Sequence, residues 1–156
     1  MIDLHGKVIL VTGGSRGIGA VTVQTLADAG ADVILHYGRT QPAAQAIAEN
    51  IGRDRCYLLR ADLAVANASF ALWQAAIAWK GQIDVLVNNA GIIKAAGVDD
   101  DEIWADAWQQ TLQVNLIAVA DLCREAIRHF RDRAGGIIIN VASRAAFRGD
   151  APEYMH

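Results

Sequence analysis

A short apolar run, Val8-Ile9-Leu10-Val11, leads directly into Thr12-Gly13-Gly14-Ser15-Arg16-Gly17-Ile18-Gly19, and residues at helical spacing follow: Ile18, Val21, Thr22 and Leu26. Strand, glycine turn and helix in direct succession restrict the chain to few folds. Glycines 13, 17 and 19 let the backbone turn sharply, approach a bound group closely and bring the helix onto the strand. The first turn of that helix leaves N–H groups free and presents the positive end of its dipole, which suits a phosphate diester. The spacing is G-x-x-x-G-x-G, and no Gly-Lys-Ser/Thr follows, which excludes a P-loop. Glycines also mark ordinary turns, so the rest of the chain decides what this one holds.

With 156 residues, the chain has room for one domain with a real core. A composition of 53% hydrophobic and 20% charged residues is that of a globular α/β protein rather than a disordered or fibrous one. The net charge of −3 and pI near 5.7 do not point to nucleic acid or an anionic membrane. The apolar runs, such as Leu116-Ile117-Ala118-Val119-Ala120, fall well short of the roughly 18 residues of a membrane span. The N-terminus lacks the basic region and apolar core of a signal peptide. Cys56 and Cys123 sit far apart on apolar stretches and read as buried thiols of a reducing, cytoplasmic setting. No metal site is expected.

Five strands are predicted, at 7–11, 32–37, 55–61, 84–88 and 136–142, with helices near 18–29, 41–51, 68–80 and 103–131. The strands are continuous Val, Ile and Leu runs, as in sheets covered on both faces, and regular alternation with helices implies a doubly wound parallel sheet. Gly30 and the sequence Asn50-Ile51-Gly52 read as helix stops. Asp99, Asp100, Asp101 and Glu102 suit a helix N-terminus. The last helix carries the stripe Trp104, Trp108, Leu112, Asn115, Val119, Leu122, Ala126, Phe130, with one polar member. A buried asparagine needs partners, so Asn115 either ties the helix to a neighbouring loop or marks a kink or water site lining a pocket.

In open parallel sheets, ligands bind outside the carboxyl ends of the strands. Asn88-Asn89-Ala90-Gly91 closes the fourth strand, Asp62-Leu63 the third and Ser143 the fifth. With the glycine turn after the first strand, four of the five strands bring polar or glycine residues to one rim.

Taken together, Thr12–Gly19 with its TGxxxGIG pattern, Asp62-Leu63, Asn88–Gly91, Asn115 and Ser143 resemble the short-chain dehydrogenase/reductase family, in its short single-domain branch. The resemblance covers residues 1–156 and implies a Rossmann-type fold with five strands present and the C-terminal part of the fold missing. It implies that the turn with Gly13, Ser15, Arg16, Gly17, Ile18 and Gly19 holds a cofactor pyrophosphate. Asp62 would bond the adenine amino group, Leu63 would add a backbone contact, and Asn89, Ala90 and Gly91 would line the adenine-ribose side. Asn115 would hold a relay water, and Ser143 would donate to a substrate carbonyl oxygen. An NAD site usually ends its second strand with an acid that binds the ribose 2′-hydroxyl. Here the end reads His36-Tyr37-Gly38-Arg39-Thr40, so Arg39 with Arg16 favours NADP over NAD through a clamp on a 2′-phosphate. His36 reads as a packing residue at the strand end.

The family's acid–base pair, a tyrosine with a lysine four residues on, belongs about 13 residues after the serine, near His156. Tyr154 stands 11 residues after Ser143 and reads as a pocket-edge residue. The expectation is therefore an oxidoreductase exchanging hydride between NADP(H) and a small ketone or secondary alcohol, in a homo-oligomer, with these 156 residues inactive alone. The alternative is a nucleotide-binding module without chemistry. A fifth strand left at an edge, short of helix cover, is an association liability.

Overall fold

The computed structural model describes residues 2–97, 99–148 and 154–155, without the side chains of 146, 154 and 155. In chain order the elements are β1 (Val8–Val11), α1 (Gly17–Asp28), β2 (Asp32–Tyr37), α2 (Gln41–Ile51), β3 (Cys56–Arg60), α3 (Ala68–Lys80), β4 (Val85–Asn88) and β5 (Lys94–Ala95). Then follow α4 (Asp101–Leu112), a π-helical segment (Gln113–Ile117), α5 (Ala118–Arg131), β6 (Ile137–Asn140), α6 (Ala145–Arg148) and β7 (Tyr154–Met155).

Strands β3-β2-β1-β4-β6 pair in that order, all parallel. The sheet is doubly wound, Rossmann-like, and its order reverses between β1 and β4. Alternate residues of β1 serve opposite layers, which is why it is apolar throughout. Val8 and Leu10 join Ile34, Trp73, Leu86, Leu122 and Ala126 on the α3–α5 side. Ile9 and Val11 join Val23, Ala27, Val33, Leu35, Ala44 and Ala48 on the α1–α2 side. Burying each large aliphatic side chain contributes about 1.5–3 kcal/mol, so these two layers hold the switch point rigidly.

Side chains finish what the backbone leaves open. Asp84 Oδ2 accepts from the Val8 amide at 2.9 Å. Arg55 donates to the carbonyls of Ala27 and Ala31 at the C-terminal end of α1. Asp100 Oδ1 accepts from the Ile103 amide at 3.0 Å and so caps α4, as the acidic run predicts. Cys56 and Cys123 are free thiols. Cys56 is buried, and burial pushes its thiol up to about 11, which keeps it unreactive. Cys123 is only half-buried and receives a hydrogen bond from Asn88 Nδ2 at 3.4 Å.

Two expected helix faces shift. Ile18 and Val21 are exposed, and α1 instead buries Gly19, Val23 and Ala27. Gly19 faces the glycine turn because a Cβ there would meet the Gly13 carbonyl oxygen. In α4 the buried residues are Ala107 and Thr111, while Trp108 and Leu112 of the expected stripe face outward. The π segment widens one turn, so extrapolating a period of 3.6 back from Leu122 lands one residue late. Beyond it, Leu122, Ala126 and Phe130 are buried as expected. Strand β6 is an edge, with Ile137 and Ile139 exposed. One pairing was not expected: β5 pairs antiparallel with β7, Ala95 opposite Tyr154. His156 lies outside the described residues.

Candidate active site

The carboxyl ends of the parallel strands form one rim, and a cleft of about 740 Å³ opens there beside the switch point. Its wall includes Gly13, Ser15, Arg16, Gly17, Ile18 and Gly19 from the turn and Arg39 from the end of β2. Asp62 and Leu63 beyond β3, and Asn89, Ala90 and Gly91 beyond β4, complete the expected set. All twelve residues expected to touch a cofactor thus line one cavity. Asn115 and Ser143 do not line it.

The turn is fixed from behind by Thr12 and Asn89. Thr12 Oγ1 is buried, accepts from the Asn89 and Ala90 amides at 3.0 Å each, and donates to the Val87 carbonyl at 3.4 Å. Asn89 Nδ2 donates to the carbonyls of Thr12 at 2.9 Å and Gly13 at 3.2 Å. The interlock explains the glycines. A Cβ on Gly13, whose φ is +66°, would stand 2.9 Å from Ala90 Cα, and one on Gly19 would stand 2.3 Å from the Gly13 carbonyl oxygen. Among the described residues, no side chain caps the N-terminus of α1. Its amides therefore face the cleft with only solvent or a ligand to satisfy them, an arrangement that fits an anionic diester.

Sequence reasoning undervalued His36. Its ring is 2% exposed and lines the cleft. Nδ1 accepts from the Gly13 amide at 3.2 Å, Nε2 lies 3.1 Å from the Ala61 carbonyl, and the His36 carbonyl accepts from the Gly14 amide at 2.8 Å. Burial holds its pKa below the ordinary histidine value, against opposing pulls from the Ala61 carbonyl and Asp62. Thr12 was likewise missed as a site residue, since a threonine at a strand end carries no periodic signal.

Asp62 is exposed, and its Oδ1 accepts from the Ala64 amide at 3.0 Å, while the Leu63 side chain turns into the core. Asn115 lies in the π segment. Its Oδ1 accepts from the Ile92 amide at 2.9 Å and its Nδ2 donates to the Ile92 carbonyl at 2.8 Å, tying the helix to the loop after β4. Each amide atom retains one further bonding position. Ser143 is exposed beyond β6, and its Oγ accepts from the Ala145 amide at 3.1 Å, with no acceptor for its hydroxyl hydrogen among the described residues. The far end of the cleft is lined by Ile92, Ile93, Lys94, Gln110 and Val114. Among the described residues, no three His, Cys, Asp or Glu side chains are grouped to hold a metal, and no helix is long and apolar enough to cross a membrane.

The family model for short chain dehydrogenases matches residues 7–153. The chain belongs to the short-chain dehydrogenase/reductase family. It is 38% identical over 146 residues to 3β-hydroxysteroid dehydrogenase 1 of Eggerthella lenta, covering 90% of this chain and 54% of that protein. It is 35% identical over 145 residues to D-threitol dehydrogenase of Mycolicibacterium smegmatis, covering 92% and 55%. Among solved structures, a short chain dehydrogenase from Burkholderia cenocepacia in complex with NADP superposes with a TM-score of 0.86 at 39% identity, covering 95% of this chain and 60% of that one. The chain spans about half the length of the curated relatives it matches.

Proposed function

We propose that the protein is an NADP(H)-dependent oxidoreductase that exchanges hydride between the nicotinamide and a ketone or secondary alcohol. The observation that carries this reading is the cleft wall itself: an uncapped helix N-terminus behind a glycine turn, with Arg16 and Arg39 on the lining and no acid at the end of β2. When bound, NADPH supplies the hydride. The turn amides hold the pyrophosphate, and Arg39 with Arg16 clamps a 2′-phosphate, for which a guanidinium fork is well shaped. Asp62 accepts from the adenine amino group, and Asn89, Ala90 and Gly91 form the wall beside the adenine ribose. Asn115 positions the loop at Ile92 and keeps bonding capacity for a relay water. Ser143 donates its hydroxyl hydrogen to the carbonyl oxygen on which negative charge develops. A homo-oligomer belongs to the same reading, supported by the exposed Ile137 and Ile139 of β6, as does a cytoplasmic setting, supported by two free thiols.

A second reading, a nucleotide-binding module without chemistry, is favoured by the position of Asn115 and Ser143 off the cleft lining. One experiment separates the two: steady-state oxidation of NADPH and NADH with a panel of ketones, on protein whose mass in solution is known from light scattering. In the full-length protein, turnover is expected with NADPH, at least tenfold less efficient with NADH, and about 100-fold slower in Ser143→Ala with cofactor affinity preserved. NADPH binding without turnover on any ketone identifies the module instead. A monodisperse monomer removes the oligomer from the proposal.

A further inference from the structure

We infer that His36 is a positioning residue for the dinucleotide: as a neutral ring it ties the glycine turn to the end of β3, and taking up a second proton releases both walls of the cleft and the cofactor with them. The inference rests on the reading of the cleft as a dinucleotide site.

The tautomer follows from the partners. The Gly13 amide can only donate, so Nδ1 must carry a lone pair. Nε2 then bears the proton and donates to the Ala61 carbonyl. Through ring and carbonyl together, His36 holds the consecutive amides of Gly13 and Gly14, while Nε2 reaches across to β3. Three segments of the lining therefore meet on one side chain that is 2% exposed.

The same geometry makes the strut sensitive to acid. Protonation at Nδ1 sets two N–H groups against each other across 3.2 Å, and the Gly13 amide loses its acceptor. Asp62, just beyond the end of β3, is the acidic group whose field favours the charged ring. Arg16 from the turn and Arg39 from the loop after β2 are the cationic groups on the same lining. Burial and the bond from the Gly13 amide favour the neutral form, against the Ala61 carbonyl and Asp62, which favour the charged one. Binding and protonation thus oppose one another, and by linkage a bound cofactor must also make the ring harder to protonate.

Two measurements test this. Long-range proton–nitrogen spectra of the protein without cofactor should show His36 protonated at Nε2 alone near neutral pH, with a Gly13 amide resonance that moves as the ring titrates. A neutral ring protonated at Nδ1, or a Gly13 amide blind to the titration, overturns the strut. NADPH fluorescence titrations between about pH 8 and about pH 5.5 should show a Kd rising toward about tenfold per pH unit once the ring titrates, the limit for one coupled proton. His36→Asn keeps an acceptor near Nδ1 but cannot titrate. It should bind NADPH a few-fold more weakly at the upper pH, with a much flatter profile. Equal pH slopes in the two proteins overturn the coupling. Failure of both proteins to bind NADPH at the upper pH overturns the proposal together with the dinucleotide reading. The spectra distinguish that outcome from a failed strut, because they need no cofactor.

Discussion

At the scale of single residues, the site depends on how closely two loops approach. Thr12, Gly13 and Gly19 on one side and Asn89 and Ala90 on the other leave no room for a methyl group: a Cβ on Gly13 would stand 2.9 Å from Ala90 Cα, and one on Gly19 would stand 2.5 Å from Asn89 Nδ2. We predict that Gly19→Ala destabilises the protein by about 1–3 kcal/mol, the usual range for overpacking. It should also weaken NADPH binding at least tenfold, because the Gly13 carbonyl must move and the turn moves with it. Calorimetry and a fluorescence titration on the same sample check both; a folded variant with unaltered affinity would show that the turn is not the phosphate seat. The glycine spacing was legible in the sequence because only glycine tolerates such contact. The roles of Thr12 and His36 were not. Both act through hydrogen bonds between residues 23 to 78 positions apart, and no local pattern encodes such partners.

At the scale of elements, the π segment is where sequence reading and structure part. The asparagine in an apolar stripe was visible, and the tie to a neighbouring loop is present, at Ile92, while the residue lies in a π-helical segment off the cleft lining. The irregularity itself was not legible, since a periodic reading assumes 3.6 residues per turn throughout. The exposed Trp108 and the buried Thr111 follow from that. The five parallel strands were read to within a residue or two because the central ones, β1 and β4, are buried on both faces and flank one another as apolar runs. Asn115→Leu should leave the Ile92 amide and carbonyl without partners and cost about 2–4 kcal/mol, taking each lost partner at about 1–2 kcal/mol. The loop at Ile92 lines the cleft, so NADPH affinity should fall as well. Asn115→Asp, which retains the acceptor for the amide, should lie between wild type and Asn115→Leu in thermal unfolding. An Asn115→Leu protein as stable as wild type would mean that the tie contributes nothing.

At the scale of the whole molecule, two histidines are held neutral by the fold, and this sets the response to acid. His36 binds on the cleft side of the sheet. At the opposite end, His129 Nε2 accepts from the Ile83 amide at 3.2 Å, and the ring packs edge-on against Trp73. Burial lowers the His129 pKa first and the nearby Arg133 second, with Asp84 and Asp132 pulling upward. Both rings therefore have folded-state pKa values below the ordinary histidine value of about 6.5. Below that value the unfolded chain takes up protons that the folded chain refuses, so stability is fully present above it and is lost as pH falls through the folded values. For each ring the slope is at most about 1.4 kcal/mol per pH unit, and smaller for the less buried His129. Chemical denaturation between about pH 7.5 and about pH 5, above the range where carboxylates dominate, should show this decline. His129→Gln keeps an acceptor for the Ile83 amide without a titrating group and should flatten the decline by one proton's worth. His36→Asn should flatten it likewise, and the double variant should be nearly level. A decline unchanged in the double variant would place the acid sensitivity outside both histidines and remove the fold-level basis for a cofactor site that opens in acid.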